Sequence, residues 1–598
     1  MRGTSMPSRS RRKRRLLVAG LLCPLAGTAL AGGWAAHLGL SVHDHLRAAV
    51  DALAQVRAAG PEGAGPALAA AREHAEQARR ITSGLTWTLA AHTPFVSTAA
   101  TTVRGLADFA SQVTGVLTDV QRAGAPLLAV RRPSAGDLGG LLSHLESAAP
   151  ALHDAAARMD AARAGLATTP SGTGLAPLDQ ARDTALREAD RLSGWLGAAD
   201  DAAALLPDML GGHGPRRYFL AFQTNAESRG TGGLVGAFGL LKAGGGRVGV
   251  ERLSPNNGLA SGTAQVIDHG SAFRARYGAS ALSLLANSNL SPHFPYAAAT
   301  WAALWERQTH ERLDGAVATD PVGLSYLLRL IGPVTLPGGE TVTAANVVDL
   351  TERAAYARYQ NPVERKRFLI GIASAVSDAL SRARPEPAAL LSVLSQLVEE
   401  RRIQVWSRRE DEQRRLAATP LGGVLPDTPG PYAGLIVNNS AGTKLDYYLD
   451  RALEYHLGPC RADGRRLAYV RVRLTNGVPP VRLPTYVTDR LDDPGGSHPT
   501  GSNLLWVSYY ATPGAQLGGA RLDGEAQPVI KEVERSHPVY SKVIELAPRQ
   551  TRTLEFMLLE PASAAQPQAP VQPLVRGQQT RITRDDTGCP FARPQADR

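Results

Sequence analysis

The stretch "NAESRGTGG", residues 225–233, places an amide, a carboxylate and a guanidinium at alternate positions directly before a glycine-rich turn. Alternate residues of a strand share a face. Asn225, Glu227 and Arg229 therefore project together if the preceding "RYFLAFQ" strand continues, whereas a turn starting at Ala226 gathers them at the strand end. Either arrangement suits an anion. The planar fork of Arg229 matches a phosphate, Glu227 can orient that fork or hold a divalent cation, Asn225 can donate to an oxygen, and "GTGG" lets backbone approach a ligand. The competing account is a surface ion pair over an irregular loop, which stabilises little. No Gly-Lys-Ser/Thr follows, so the turn is not a P-loop.

Three further groups are candidates. "NPVERKRF" sets Arg365, Lys366 and Arg367 at the start of a predicted helix, with Arg358 on the preceding one. Cations at a helix start oppose the macrodipole, so they call for an anion or belong to a solvated basic turn. Asp320 stands before Pro321 where a predicted strand meets a predicted helix. It is a helix cap or a site residue at a strand end. "NNSAGTKLDYYLDR", residues 438–451, offers Asn438, Asn439, Lys444 and Asp446 as cleft lining or as Asx turns and an ion pair. His269, His293 and His310 have no ligand-like spacing, and neither GxSxG nor HExxH occurs, which leaves an ordinary hydrolase unsupported.

The elements that must position these residues follow from length and pattern. A chain of 598 residues is too long for one core. Of its formal charge of +11, seven Lys/Arg lie in 1–15, leaving +4 for the remainder. The charge is thus local, and no nucleic-acid partner is expected. The uncharged run 16–40 reads as a transmembrane helix with 1–15 as a cytoplasmic basic tail and the body beyond the membrane. A cleaved signal peptide ending near "ALA" is the alternative. Residues 41–210 repeat helical spacings, such as Leu46, Val50, Leu53 and Val56, and predict an α-helical stalk or bundle. Residues 213–425 mix strand and helix patterns as an α/β domain, and 430–560 alternate as a C-terminal β-sandwich. The Pro- and Gln-rich segment 561–598 reads as a flexible tail. Outside the apolar run the cysteines are Cys460 and Cys589, either paired or free.

"RYFLAFQTNAESRGTGGLVGAFGLL", "TAANVVDL" and "NNSAGTKLDYYLDR" together resemble an uncharacterised actinobacterial family of membrane-anchored proteins catalogued as a domain of unknown function. "DGAVATDPVGLSYLLRLIGPVTL" and "ERKRFLIGI" are also distantly similar to the LytR-CpsA-Psr phosphotransferases, which move a glycopolymer from a polyprenyl-pyrophosphate carrier onto peptidoglycan, usually with a divalent cation. The resemblance implies a membrane-bound envelope phosphotransferase in which Glu227, Arg229 and Asp320 are catalytic. Asn225, Arg358, Arg365 and Arg367 would hold the pyrophosphate, and Glu227 with Asp320 would hold Mg2+. The partners implied are the polyprenyl-pyrophosphate-linked glycan, a wall-polymer acceptor and the cytoplasmic membrane. Where those enzymes carry Pro-Arg-Asp, this chain has "SPNNG". That departure supports the alternative of a non-catalytic binding or scaffold protein for envelope glycans or carrier lipids.

Overall fold

The computed structural model describes residues 9–129, 138–259 and 262–591. Residues 1–8 of the expected basic tail, the side chains of the apolar run up to residue 36, and 592–598 of the expected C-terminal tail lie outside the described residues. The chain divides into two compact units, Met1–Arg131 with Gly140–Pro207, and Arg132–Gly139 with Asp208–Arg598.

The first unit is helical: α1 (Arg9–Ser83), α2 (Leu85–Ala91), α3 (Ser97–Ala129), α4 (Gly139–Ala167) and α5 (Ala176–Met209). The ring nitrogens of His45 and His74 are 3.2 Å apart, whereas a straight helix would separate them by about 43 Å. α1 therefore doubles back between them, in a stretch holding Gly60, Pro61, Gly65 and Pro66. Phe109, Val113 and Val116 of α3 pack on Met159 and Leu166 of α4 and Leu196 of α5, the inward stripe expected of amphipathic helices.

The expected membrane span at 16–40 is corrected. Among the described residues no helix is long and apolar enough to cross a membrane, so single-pass anchoring and the location inferred from it are not supported. The end of the segment is instead part of the bundle: Leu38, with Val42 and Leu46, packs against Ala78, Ile81 and Trp87.

The second unit opens with β1 (Arg216–Arg229), β2 (Gly232–Gly244) and β3 (Arg247–Pro255). It continues through α6 (Ser271–Tyr277), α7 (Phe294–Thr309), β4 (Gly315–Thr319), α8 (Pro321–Ile331), the hairpin of β5 (Val334–Thr335) and β6 (Thr341–Val342), α9 (Val347–Asp349) and α10 (Ala355–Arg358). Then come α11 (Pro362–Arg382), α12 (Pro387–Glu399), β7 (Ile403–Ser407) and α13 (Glu410–Ala417). The central sheet has the order β3-β2-β1-β4-β7. Within it β1 and β4 pair in parallel, whereas β1, β2 and β3 are antiparallel because the turns joining them are too short for a crossover. Phe219 of β1 and Phe238 of β2 stack 5.3 Å apart, and Phe219 meets Trp301 and Trp305 of α7, and Phe238 meets Trp305, with ring centroids 5.8–6.4 Å apart.

The remaining strands are β8 (Ala433–Asn439), β9 (Leu449–Cys460), β10 (Arg465–Asn476), then, after the short α14 (Thr485–Thr488), β11 (Asn503–Ala511), β12 (Gln516–Leu522), β13 (Glu525–Ala526), β14 (Ile530–Glu534), β15 (His537–Leu546), β16 (Thr551–Pro561) and β17 (Gln578–Arg584). They form a six-stranded sheet, β13-β12-β16-β10-β9-β17, and a four-stranded sheet, β14-β15-β11-β8. Ala468, Val470, Val472 and Leu474 of β10 join one core with Leu435, Val507, Tyr509 and Phe556, while Tyr469, Arg471 and Arg473 face outward. This is the period-two pattern of a half-buried strand.

The segment from 561, expected as a flexible tail, instead runs along the second unit. β17 pairs in parallel with β9, and Cys460 and Cys589 form a disulfide. The expected fold class is thus corrected to a mixed helical and sheet chain with several sheets, in which the central sheet and the sandwich share one unit.

Candidate functional site

β1 carries the opening motif, but its ladder with β2 breaks there. Thr224 lies opposite Leu234 and Ser228 opposite Gly233, so residues 225–227 bulge out of register. The bulge separates the three polar side chains. Asn225 turns to the C-terminal segment, its Nδ2 donating to the Pro573 carbonyl at 2.9 Å. Glu227 and Arg229 stay together in a buried ion pair, Nη2 to Oε1 at 2.8 Å. Lys444 approaches from the loop after β8 and pairs with the other oxygen of Glu227. Burial works against ionisation of Glu227, but the adjoining Arg229 and Lys444 outweigh it and hold the carboxyl below its ordinary value.

Arg229 uses its remaining donors inside the protein. Nε donates to the Ala286 carbonyl at 3.1 Å, and Nη1 donates to the carbonyls of Ser228 at 2.9 Å and Asn439 at 3.5 Å. Next to it, Asp446 accepts from the Ser228 amide and hydroxyl, both at 2.7 Å, from Asn439 at 2.9 Å and from Asn503 at 2.6 Å. Burial raises the Asp446 pKa, and these hydrogen bonds oppose the shift. The central sheet is thereby joined to the sandwich through charged groups enclosed on both sides.

The glycines serve the same closure rather than a ligand. A Cβ at Gly230 would sit 2.2 Å from the Leu290 carbonyl oxygen, and one at Gly233 would sit 2.1 Å from that of Thr224. The cavity bordered by Gly230, Gln404, Gln572 and Pro573 has a volume of about 10 Å3, room for one water molecule.

The other expected residues are placed separately. Asp320 caps α8, accepting from the Gly323 amide at 2.7 Å, and pairs with Arg402 at 2.9 Å. Arg358 pairs with Glu340 and lies over Phe368. Arg365 is buried, with Nη1 donating to the Tyr359 carbonyl at 3.1 Å and its guanidinium 3.9 Å from the ring centre of Tyr486. Lys444 lies 5.5 Å from the same ring, so Tyr486 links Arg365 to the Glu227 pair. Lys366 donates to Asn256 and Asn257 of "SPNNG", and Arg367 is exposed. Glu227 and Asp320 each answer to cations of the chain, and among the described residues no group of three His, Cys, Asp or Glu could hold a metal ion.

Sequence reasoning missed Glu352. It sits in a π-helical turn, Leu350–Ala354, a feature frequent at functional sites. Its Oε2 accepts from the Thr224 hydroxyl at 2.8 Å and the Ala226 amide at 2.7 Å, while Oε1 is buried without a partner. One signal could have found it: Glu352 lies four residues from Val348 and four from Tyr356, on the apolar stripe of its helix.

Burial pushes the Glu352 carboxyl up from 4.5 to about 7. Between these values the folded protein holds a proton that the unfolded chain releases, so stability falls as pH rises through this window, by on the order of 3 kcal/mol from this group. Glu352→Gln is expected to remove that part of the slope and to be more stable than the parent above pH 7. Urea denaturation at pH 5 and pH 8 checks it, and an unchanged difference between the two would refute the assignment.

Residues 213–356 match a family described as "Protein of unknown function (DUF4012)". No curated protein matches the chain at a significant level.

Proposed function

We propose that this protein binds a polyprenyl-pyrophosphate-linked envelope glycan without processing it, as a binding or scaffold protein. The observation that carries this reading is the closed state of the Glu227 and Arg229 pair. Phosphoryl transfer needs a free donor fork and a stabilised divalent cation beside the reacting phosphate. Here the guanidinium donates throughout to protein oxygens, and both carboxylate oxygens accept from cations.

Arg365 supports the anion-binding half. Among the described residues it has no carboxylate partner, and a buried cation lacking one is costly. The half-exposed Tyr486 stacks on Tyr356 with ring centroids 5.8 Å apart, and its ring adjoins both Arg365 and Lys444. A pyrophosphate reaching that ring edge would offset both cations, and a sugar could lie against the aromatic surface. Arg367 is exposed at the start of α11, and Arg358 at the end of α10 is paired with Glu340. The choice of a carrier-linked glycan over another anion rests on the resemblance to the LytR-CpsA-Psr enzymes. Catalysis, Mg2+ and a peptidoglycan acceptor have no role in this reading.

The test is direct binding of a polyprenyl-pyrophosphate disaccharide to the full chain, followed by assay for transfer to peptidoglycan with Mg2+. Saturable binding is expected, weakened about tenfold by Tyr486→Ala, with no transfer. Absence of binding, or Mg2+-dependent transfer by the parent chain, would overturn the proposal.

A further inference from the structure

"GLTWTLAAHTPFV", residues 84–96, is apolar on more faces than its unit buries. Trp87 points inward, its Nε1 donating to the Ala100 carbonyl at 2.9 Å, and its ring joins Val42, Ala78 and Ala107. Residues four apart share a helix face, so Leu85 and Leu89 stand together on the side away from Trp87. They are 86% and 72% exposed, and Phe95 beyond them is fully exposed. Phe95 also holds a positive φ of 69°, a conformation uncommon for a bulky residue.

The surroundings specify the occupant. No carboxylate lies between Glu76 and Asp108. Glu76 alone answers both Arg79 and Arg80, which leaves a cation in excess near His92, while Arg104 bonds inward to Thr82 and Thr88. Leu40, exposed at 65%, belongs to the same end of the unit, because Leu38 packs in the Trp87 cluster. A fully exposed Phe95 projects from the fold and lines no groove of the kind a partner helix would fill. A second copy would bring cations against cations across a two-fold axis.

We propose that this end of the helical unit docks on an anionic lipid surface, inserting Leu85, Leu89 and Phe95 among the acyl chains while Arg80, its side chain 74% exposed, meets the headgroups. The contact is peripheral, needs no spanning helix and is independent of glycan binding.

The test uses the full chain with Cys23→Ser and Val96→Cys, labelled at position 96 with a polarity-sensitive fluorophore; Cys460 and Cys589 are bonded to each other. Vesicles of phosphatidylcholine containing about one-third phosphatidylglycerol are expected to shift the label's emission to the blue. Partitioning should fall about tenfold in Leu85→Gln/Leu89→Gln/Phe95→Gln, and markedly in pure phosphatidylcholine. Because these side chains face outward, the circular dichroism of the variant should match the parent. An unshifted label on vesicle-bound protein would overturn the proposal, as would equal partitioning of parent and variant. So would a dimer, detected by light scattering, that the variant loses.

Discussion

Glu227→Gln is expected to destabilise the second unit by about 3–5 kcal/mol. The side chain keeps its shape, so no cavity forms. What changes is charge: Arg229 and Lys444 remain enclosed with the anion between them gone. The measurement is the urea midpoint of the second unit, followed by fluorescence of its tryptophans. Restoring balance should restore stability in part, so Glu227→Gln/Lys444→Met is expected to lose less than the two single losses combined. A single substitution costing under about 1 kcal/mol would mean that the pair is better solvated than its burial implies.

The second large effect concerns the disulfide. Cys460 and Cys589 are 129 residues apart in sequence, and a loop of that length lowers the entropy of the unfolded chain enough to contribute about 4–5 kcal/mol. Cys589→Ala should lose most of this. The loss has a predicted place as well as a size. β17 is held on one side by its pairing with β9 and beyond its end by Arg466, whose guanidinium is buried and bonds to Asp585 and Asp586. Amides of Gln578–Arg584 should therefore exchange faster in the variant, and those of β11 much less. A transition unmoved by reducing agent would refute this account.

How much of the site was legible in sequence depends on the distance over which its interactions act. Asp320 and Pro321 identify a helix start because capping acts within three residues, and the carboxylate accepts from Gly323 as that rule requires. Glu227 and Arg229 are two residues apart, and their pairing could be anticipated. Lys444, which completes the group, lies 217 residues away. Glu352, which fixes the bulge in β1, lies 128 residues from Thr224. No periodicity or motif reaches so far.

Composition misled where a segment's surroundings supply what it lacks. The last segment is rich in Pro and Gln, but a disulfide and an open strand edge order it. "GTGG" carries the permissiveness of a ligand-binding turn, and the same permissiveness lets two backbones pack in contact.

By itself, then, the sequence determined the local elements: the amphipathic helices, the alternating strands, the cap at Asp320, and a charged pair before a glycine turn. These follow from forces acting within a turn or a strand pair. Only the tertiary structure decided that the pair is enclosed rather than open to a ligand. Whether a charge faces solvent or a counter-ion depends on which distant segment covers it, and here those segments are the Lys444 loop and the Asp446 turn of the sandwich.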